Sequence, residues 1–507
     1  MRNRFIVLAA AMFAAIVGAF GQSGPGDIIP TPVKYTVSDA LTRLPEAGDI
    51  DIVIGKKSFF SRIKRFNLEP WQVKSAYYLE LTPEGMRVEA ADQEGVFYAF
   101  QSAYMMNFIS PQIHCCQILD YPRFRHRGMM LDVSRNFQPV EFVKRQLDMM
   151  ALLKMNKFHF HLVDHPGWRI QIDKYPLLTS FSAWRTKDDW QDWINDGQRF
   201  LSQDDPGAQG GFYSKKDIAE ILAYASERHI EVIPEIEMPG HNFESIAAYP
   251  FLSCLDPEGK EHLKNVQELC PGNEQVYDFL ENVLSEVFEM FPSKYIHIGG
   301  DEAGKGNWEK CPVCQAKMKA EGLENVEQLQ SYLVKRMEKF VNDHGKTIIG
   351  WDEILEGGLA PNATVMSWRG TEGGHKAIAE GHDVIFSPTQ CYYLDYQQAS
   401  DQYRAVGPLQ PLRQTYSFEP IDENIAPENV HHVLGVQGNL WTEFVNQWWH
   451  AEMMLYPRLF AVAETGWSPR MEKDYSRFRT RAVALNKVLD YLGYNHFPLG
   501  AEEKDGN

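Results

Sequence analysis

From residue 121 onward, short apolar runs alternate with longer stretches in which apolar residues recur at three and four positions. The short runs have the length and continuity of strands buried on both faces, and the three-four spacing is that of helices with one buried side. Eight runs fit the strand pattern, at 128–133, 157–163, 231–237, 295–299, 347–351, 364–368, 383–387 and 433–439. Helical patterns at 140–155, 215–228, 274–290 and 326–342 fall between them. Strand and helix in alternation predict parallel strands joined by crossover helices, and eight such units close a (β/α)8 barrel. The fold class read from the pattern is therefore α/β, with a TIM-type barrel over 121–499.

Upstream, 28–120 has a different texture. Short strands are predicted at 51–54, 77–81 and 86–90, with a turn at 83–85 and a helix at 95–106. No chemical constellation occurs there, so 22–120 reads as a small α/β domain with a scaffolding role. Residues 1–21 carry Arg2 and Arg4 ahead of an uncharged run that ends in small residues, the pattern of a secretory signal peptide. The run is shorter than the roughly 20 residues of a spanning helix. Export to the periplasm or beyond the cell is the expectation, and an uncleaved anchor is the alternative. Residues 500–507 form a tail.

Charge narrows the partners. Fifty Lys plus Arg against 68 Asp plus Glu leave a net charge of -18, and no basic cluster interrupts it. That balance argues against nucleic acid or an anionic membrane as the main partner. Twelve tryptophans supply flat surfaces of the kind sugar rings pack on. Three of them, Trp184, Trp190 and Trp193, lie in a long excursion at 180–211, where they either form a rim or pin the loop to the body.

In a (β/α)8 barrel, chemistry collects at the C-terminal ends of the strands. The unusual residues of this chain fall there: Asp164 and His165, the run Pro239 to His241, Asp301 and Glu302, Trp351 to Glu353, Trp368 and Arg369, Tyr392 to Asp395, and Trp441 to Glu443. The stretch 295–303, Y-I-H-I-G-G-D-E-A, is the most telling. Adjacent residues on a strand point to opposite faces, but Gly299 and Gly300 permit a sharp turn that brings both carboxylates to one cavity. Two acids in unlike surroundings can divide the work, one donating a proton and the other stabilising positive charge.

Seven motifs in order carry a resemblance to the β-N-acetylhexosaminidases of glycoside hydrolase family 20. They are R-G-M-M-L-D-V-S-R at 127–135, H-L-V-D at 161–164, P-G-H at 239–241, H-I-G-G-D-E at 297–302, G-W-D-E at 350–353, Y-L-D at 393–395 and L-W-T-E at 440–443. The resemblance implies a small α/β domain ahead of the catalytic barrel, no metal, no cofactor, and a glycan substrate ending in β-linked N-acetylglucosamine or N-acetylgalactosamine. It also implies substrate-assisted hydrolysis with retention, in which the 2-acetamido oxygen attacks its own anomeric carbon. On this likeness Glu302 is the general acid and base, Asp301 orients and stabilises the acetamido group, and Tyr393 holds its oxygen. Asp164 and His241 support the acid. Trp351, Trp368 and Trp441 wall the sugar, while Arg127, Asp395 and Glu443 bind its far hydroxyls. Two features depart from expectation. His165 stands where the family usually has a second acid, either altering local charge or acting as a surface replacement. Arg127 precedes the first strand, at the wrong end for the barrel rule, while Arg135 lies at the right one.

Other readings remain beside this one. A specialist on the same scaffold would release a disaccharide or a sulfated sugar, and a carbohydrate-binding relic would lack turnover. A metallohydrolase would draw on His159, His161, Asp164, His165 and His241, but these lack the acid spacing of a two-metal site. The seven cysteines are odd in number, so at least one is expected to be free. Cys311 and Cys314 form a lone C-P-V-C with no second pair nearby in sequence, which favours a local disulfide or buried thiols over a four-ligand zinc site. Cys254 and Cys270 could close a loop.

Overall fold

The eight apolar runs do close on one another. In the computed structural model, which describes residues 21–400, 402–470 and 473–500, they form a closed parallel barrel. The predicted leader and tail lie outside the described residues, apart from Gly21 and Gly500. Ahead of the barrel, β1 (Lys34–Thr42), β2 (Ile50–Ile54), β3 (Tyr77–Thr82), β4 (Gly85–Ala90) and β5 (Ile113–Asp120) make a five-stranded mixed sheet in the order β1-β5-β3-β4-β2. Helix α1 (Gln93–Ile109) covers one face, and Asp92 caps it by accepting from the Glu94 amide.

The barrel strands are β6 (His126–Asp132), β7 (Lys157–His161), β8 (Glu231–Glu235), β9 (Tyr295–His297), β10 (Thr347–Trp351), β11 (Thr364–Ser367), β12 (Val384–Phe386) and β13 (Val433–Leu440), with β13 pairing back to β6. The crossover helices include α2 (Val140–Leu152), α3 (Lys215–Ser226), α4 (Glu274–Met290) and α6 (Val326–Asp343), preceded in the β9 to β10 crossover by α5 (Pro312–Glu321). Later in the chain, α7 (Arg458–Trp467) follows β13. Helices α4 and α6 begin at Asn273 and Asn325, whose side chains accept amides of the first turn. Their apolar sides pack outside the strands in one continuous core.

The small domain is fastened to the N-terminal end of the barrel by a buried polar knot. Asp120 Oδ2 accepts from Tyr77 (2.7 Å), Lys154 Nζ (2.8 Å) and Trp467 Nε1 (2.9 Å), so a carboxylate, an ammonium and two ring donors satisfy each other away from water. With one end occupied in this way, the other is open for chemistry.

Candidate active site

Strand β9 ends at His297, and the chain turns at Gly299 (φ +66°) and Gly300 (φ +96°). The first glycine is required twice over, since a Cβ there would lie 1.8 Å from Oε1 of Glu237. The turn is held by Gly300 N donating to Glu237 (3.0 Å) and by Gln330 donating to the Gly300 carbonyl (2.7 Å). It delivers Asp301 as a buried acid and Glu302 as an open one, its side chain 59% exposed. The Glu302 amide donates to Glu353 (3.0 Å), and its φ of +47° is the left-handed conformation that non-glycine residues adopt mainly where the surroundings impose it.

A chain of charges runs from the barrel interior to this pair. Glu235, at the end of β8, lies against His161, 2.8 Å from His159 and 2.8 Å from His297. His161 reaches on to Asp164 (2.8 Å), and Asp164 to Arg135 (2.8 Å) and His241 Nδ1 (3.0 Å). His241 Nε2 then lies 3.5 Å from both Asp301 and Glu302. Burial alone would lower the pKa of His241, but Asp164 and Asp301 override it and hold the ring well above the usual histidine range. The same competition raises His161 to about 10, with Glu235 the main opposing charge. His159, which burial dominates, falls to about 4. His159, His161 and Glu235 are close enough to share an ion. Both nitrogens of His161 are, however, already engaged by Glu235 and Asp164, which describes a hydrogen-bonded floor.

Two carboxyls beside the pair are pushed the other way. Burial, then the charge of Asp301, raises Glu353 to about 7, and the same two causes lift Glu237 well above the usual carboxylate range.

Aromatic rings wall the cavity. Trp368 and Tyr393 stack at 6.0 Å with a 12° tilt, and Trp441 lies 6.0 Å from Tyr393 and 5.9 Å from Trp351. Trp351 donates its indole N–H to Glu235 (3.0 Å), which anchors the wall to the floor. Asp352 fixes Trp368 from behind by accepting the Trp368 and Arg369 amides at 3.1 and 3.2 Å. Burial, followed by the Asp301 and Asp395 charges, raises the Tyr393 hydroxyl well above its ordinary pKa, so it is a hydrogen-bond donor at neutral pH. Opposite stand Arg135, which lies over Trp441 at 5.0 Å and 3.6 Å from Glu443, and the buried Asp395. Several buried polar atoms here, Asp301 Oδ1, Trp368 Nε1, Trp441 Nε1 and Asp395 Oδ1 among them, have no hydrogen-bond partner among the described residues. Donors and acceptors left open around an aromatic cavity describe a site for a polar ring.

The sequence profile for glycosyl hydrolase family 20, catalytic domain, matches residues 124–470. The chain belongs to this family. It is 39% identical to a beta-hexosaminidase of Porphyromonas gingivalis over 84% of its own length and 55% of the relative's. It is 33% identical to a beta-hexosaminidase of Akkermansia muciniphila over 85% and 86%. Against a beta-hexosaminidase of Vibrio furnissii the figures are 37% identity, 78% of this chain and 65% of that one. The chain thus spans 55% and 65% of the Porphyromonas and Vibrio relatives it matches. Among solved structures, the exo β-N-acetylglucosaminidase of Vibrio harveyi in complex with N-acetylglucosamine superposes with a TM-score of 0.80 at 30% identity, covering 96% of this chain and 80% of that one. A β-N-acetylhexosaminidase of Bacteroides fragilis gives 0.76 at 29%, covering 97% and 99%.

Of the family motif residues, Asp164, His241, Asp301, Glu302, Trp351, Trp368, Tyr393, Asp395, Trp441 and Glu443 come together at the open end. Arg127 does not. It is buried at the closed end, donating to the carbonyls of Lys154 (2.8 Å) and Phe124 (2.8 Å) and to the Tyr98 hydroxyl (3.0 Å). The pocket arginine is Arg135, eight residues further along the same motif. His165 is likewise no surface replacement: it is buried edge-on against Phe243 (4.7 Å) and Trp193 (5.3 Å), and burial lowers it to about 4, so it is a neutral ring at physiological pH. Trp193 is buried and pins the 180–211 loop, whereas Trp190 lies against Phe444, one residue past Glu443, and contributes to the rim.

Reading of the sequence passed over Glu237 and Gln330, and named Glu353 only as part of a motif with no role; the three hold the glycine turn and its acids. Glu237 and Glu353 follow strand ends, the one signal that marks them. The cysteine expectation also changes. None of the seven is in a disulfide, and Cys254, Cys270, Cys311 and Cys314 converge in space although their pairs are far apart in sequence.

Proposed function

We propose that the chain is an exo-acting, retaining β-N-acetylhexosaminidase that removes terminal β-linked N-acetylglucosamine, or N-acetylgalactosamine, by substrate-assisted catalysis. The observation that carries this reading is the pairing of a buried Asp301 with a donor Tyr393 inside a tryptophan-walled cavity. That pair matches the N–H and the oxygen of one acetamido group, which a glucose-specific site would have no use for. Tyr393 would donate to the acetamido oxygen and Asp301 accept its N–H, holding the oxygen in line with the anomeric carbon so that a bimolecular encounter is replaced by a positioned one.

The acetamido oxygen then bonds to the anomeric carbon while the bond to the leaving oxygen breaks, and Glu302 supplies the proton that oxygen takes. Asp301 faces the positive charge that spreads over the resulting oxazolinium. A leaving group seated over the open side of Glu302 would exclude water from it, as a proton donor requires. Water next attacks the anomeric carbon from the vacated side, returns its proton to Glu302 and opens the ring, giving net retention. His241, held by Asp164, sits between the two acids and fixes their orientation. Arg135, Asp395 and Glu443 close the far end around the terminal hydroxyls, which is what makes the action exo.

The leader pattern over residues 1–21 supports export, and the glycan would then be met outside the cytoplasm. The test of the acetamido reading is a thiazoline analogue of the cyclic intermediate. It should inhibit the wild type competitively, and Asp301→Asn and Tyr393→Phe should each weaken it by about 10- to 100-fold, the worth of one buried hydrogen bond to a charged or polarised group. An analogue that fails to inhibit the wild type contradicts substrate assistance.

A further inference from the structure

The four converging cysteines lie in the segments behind the acid pair and take no part in the mechanism above. Their sulfurs all lie within 4.8 Å of one another, with Cys270–Cys314 at 3.5 Å, Cys254–Cys314 at 3.7 Å and Cys270–Cys311 at 3.9 Å. A tetrahedron of thiolates around zinc, with Zn–S of about 2.3 Å, has edges of about 3.8 Å. Two disulfides would instead show two contacts of about 2.0 Å among otherwise longer ones. Here Cys314 is nearly equidistant from two different cysteines, which is the pattern of a shared centre and not of pairs. All four are buried.

The backbone is shaped for such a cluster. Cys311 is the residue at which α5 starts and Cys314 lies in its first turn, so the pair approaches from a helix N-terminus, where partial positive charge suits thiolates. From the other side, a Cβ on Gly272 would lie 2.5 Å from the Cys314 amide nitrogen, so the turn after Cys270 presses directly on that helix start. Cys254 is brought in by a local pairing in which Leu263 N donates to its carbonyl (2.8 Å), and Cys270 by its own amide donating to Leu252 (2.9 Å).

We propose that Cys254, Cys270, Cys311 and Cys314 form a structural zinc site, binding one Zn²⁺ as a tetrathiolate with release of four thiol protons. The closed ligand set leaves no position for substrate or water, so the metal is a staple and not a reagent. What it would hold is specific. The segment 267–270 touches the His241 loop through Asn242 N to the Gln267 carbonyl (2.7 Å) and Leu269 N to the Pro239 carbonyl (2.8 Å). It touches the Glu302 loop through Trp308 Nε1 to the Leu269 carbonyl (3.0 Å) and Asn307 to Glu268 (2.5 Å). One ion would thereby fix the two loops that bring His241 and Glu302 together.

The experiment is metal and thiol analysis of the protein expressed from its full sequence, leader 1–21 included, and purified without chelator from both the cytosol and the exported fraction of a zinc-supplemented culture. Elemental analysis should give one zinc per chain in both fractions, and X-ray absorption at the zinc edge should show four sulfur neighbours. Titration in denaturant plus chelator should count all seven thiols. The Cys311→Ser/Cys314→Ser double variant should lose the zinc, and Cys391→Ser, outside the cluster, should keep it. Two disulfides in the exported protein, by intact mass before and after reduction, would overturn the proposal, as would seven free thiols with no bound metal. Because the wild type alone decides between these outcomes, a double variant that fails to fold leaves the test intact. The readout is metal content, so a failure of the proposed hydrolase activity would not be mistaken for a failure of this site.

Discussion

Arg127 and Arg135 belong to one nine-residue motif and are both buried, yet they serve opposite ends of the barrel. Arg127, near the start of β6, gives its donors to two backbone carbonyls and a tyrosine hydroxyl and lies 5.0 Å over Trp467, among neutral partners that do not face a cavity. Arg135, three residues past the end of β6, faces the carboxylates of Asp164, Asp132 and Glu443. Burial would lower its pKa, and those three acids together raise it well above the ordinary value. The difference follows from strand polarity. A parallel barrel points the N-terminal ends of all its strands to one side, where the knot around Asp120 lies, and their C-terminal ends into loops on the other, so two arginines eight positions apart are sorted into a packed end and an open one.

The largest effect that would sharpen this division is at the open end. Glu302→Gln should lower kcat on unactivated glycosides by ~10²–10⁴-fold, the usual worth of a general acid, with KM little changed and the unfolding temperature unaltered. Unchanged turnover would remove Glu302 from its role.

The two arginines can then be set against each other directly. Arg135→Lys keeps the charge but loses the planar fork, and kcat/KM should fall by ~10- to 100-fold. Arg127→Lys should cost ~3 kcal/mol in denaturant unfolding, from buried hydrogen bonds lost or weakened, while kcat/KM of the folded protein stays within about twofold. If Arg127→Lys proved the more damaging to kcat/KM, the separation of ends would be wrong.

The charged floor predicts a pH signature in stability. His161 is raised from 6.5 to about 10, so its contribution is fully present below about pH 6.5 and is lost as pH rises toward 10. Unfolding free energy should therefore decline over that interval with a slope of at most about 1.4 kcal/mol per unit for this one proton. His161→Gln should flatten it. An unchanged slope would mean that Glu235 and Asp164 do not hold the ring charged.

The smallest effect concerns the rim. Trp190→Ala should raise KM for oligosaccharides by about two- to tenfold, one aromatic contact's worth, and leave nitrophenyl monosaccharides unaffected. An equal effect on both would place Trp190 in the wall and not at the rim.

How much of this was legible in the chain depended on whether the cause was local. All eight barrel strands were readable because strands buried on both faces are continuous apolar runs, and α4 was placed at its observed bounds. Strand β1 was missed because seven of its nine residues are exposed and leave no alternation. Strand β5, with polar residues interrupting its buried face, was missed as well. The acid pair was legible because Gly299 and Gly300 sit beside it. Arg127 was misplaced because a motif gives order along the chain and not the end of the barrel each residue occupies. The surroundings of His165 and the cysteine cluster were hidden for a different reason. Their neighbours, Phe243 with Trp193 and the two cysteine pairs, come from segments separated by tens of residues, and no spacing rule spans that gap.

The central claim is that the substrate's acetamido group is the nucleophile and that Asp301 and Tyr393 exist to hold it. It is tested most directly by comparing release of p-nitrophenol from β-N-acetylglucosaminide, β-N-acetylgalactosaminide and 6-sulfo-β-N-acetylglucosaminide with release from the matching β-glucoside. The account predicts turnover of at least one acetamido sugar and none of the glucoside, the ratios among the first three setting the specificity. Comparable hydrolysis of the glucoside would contradict it.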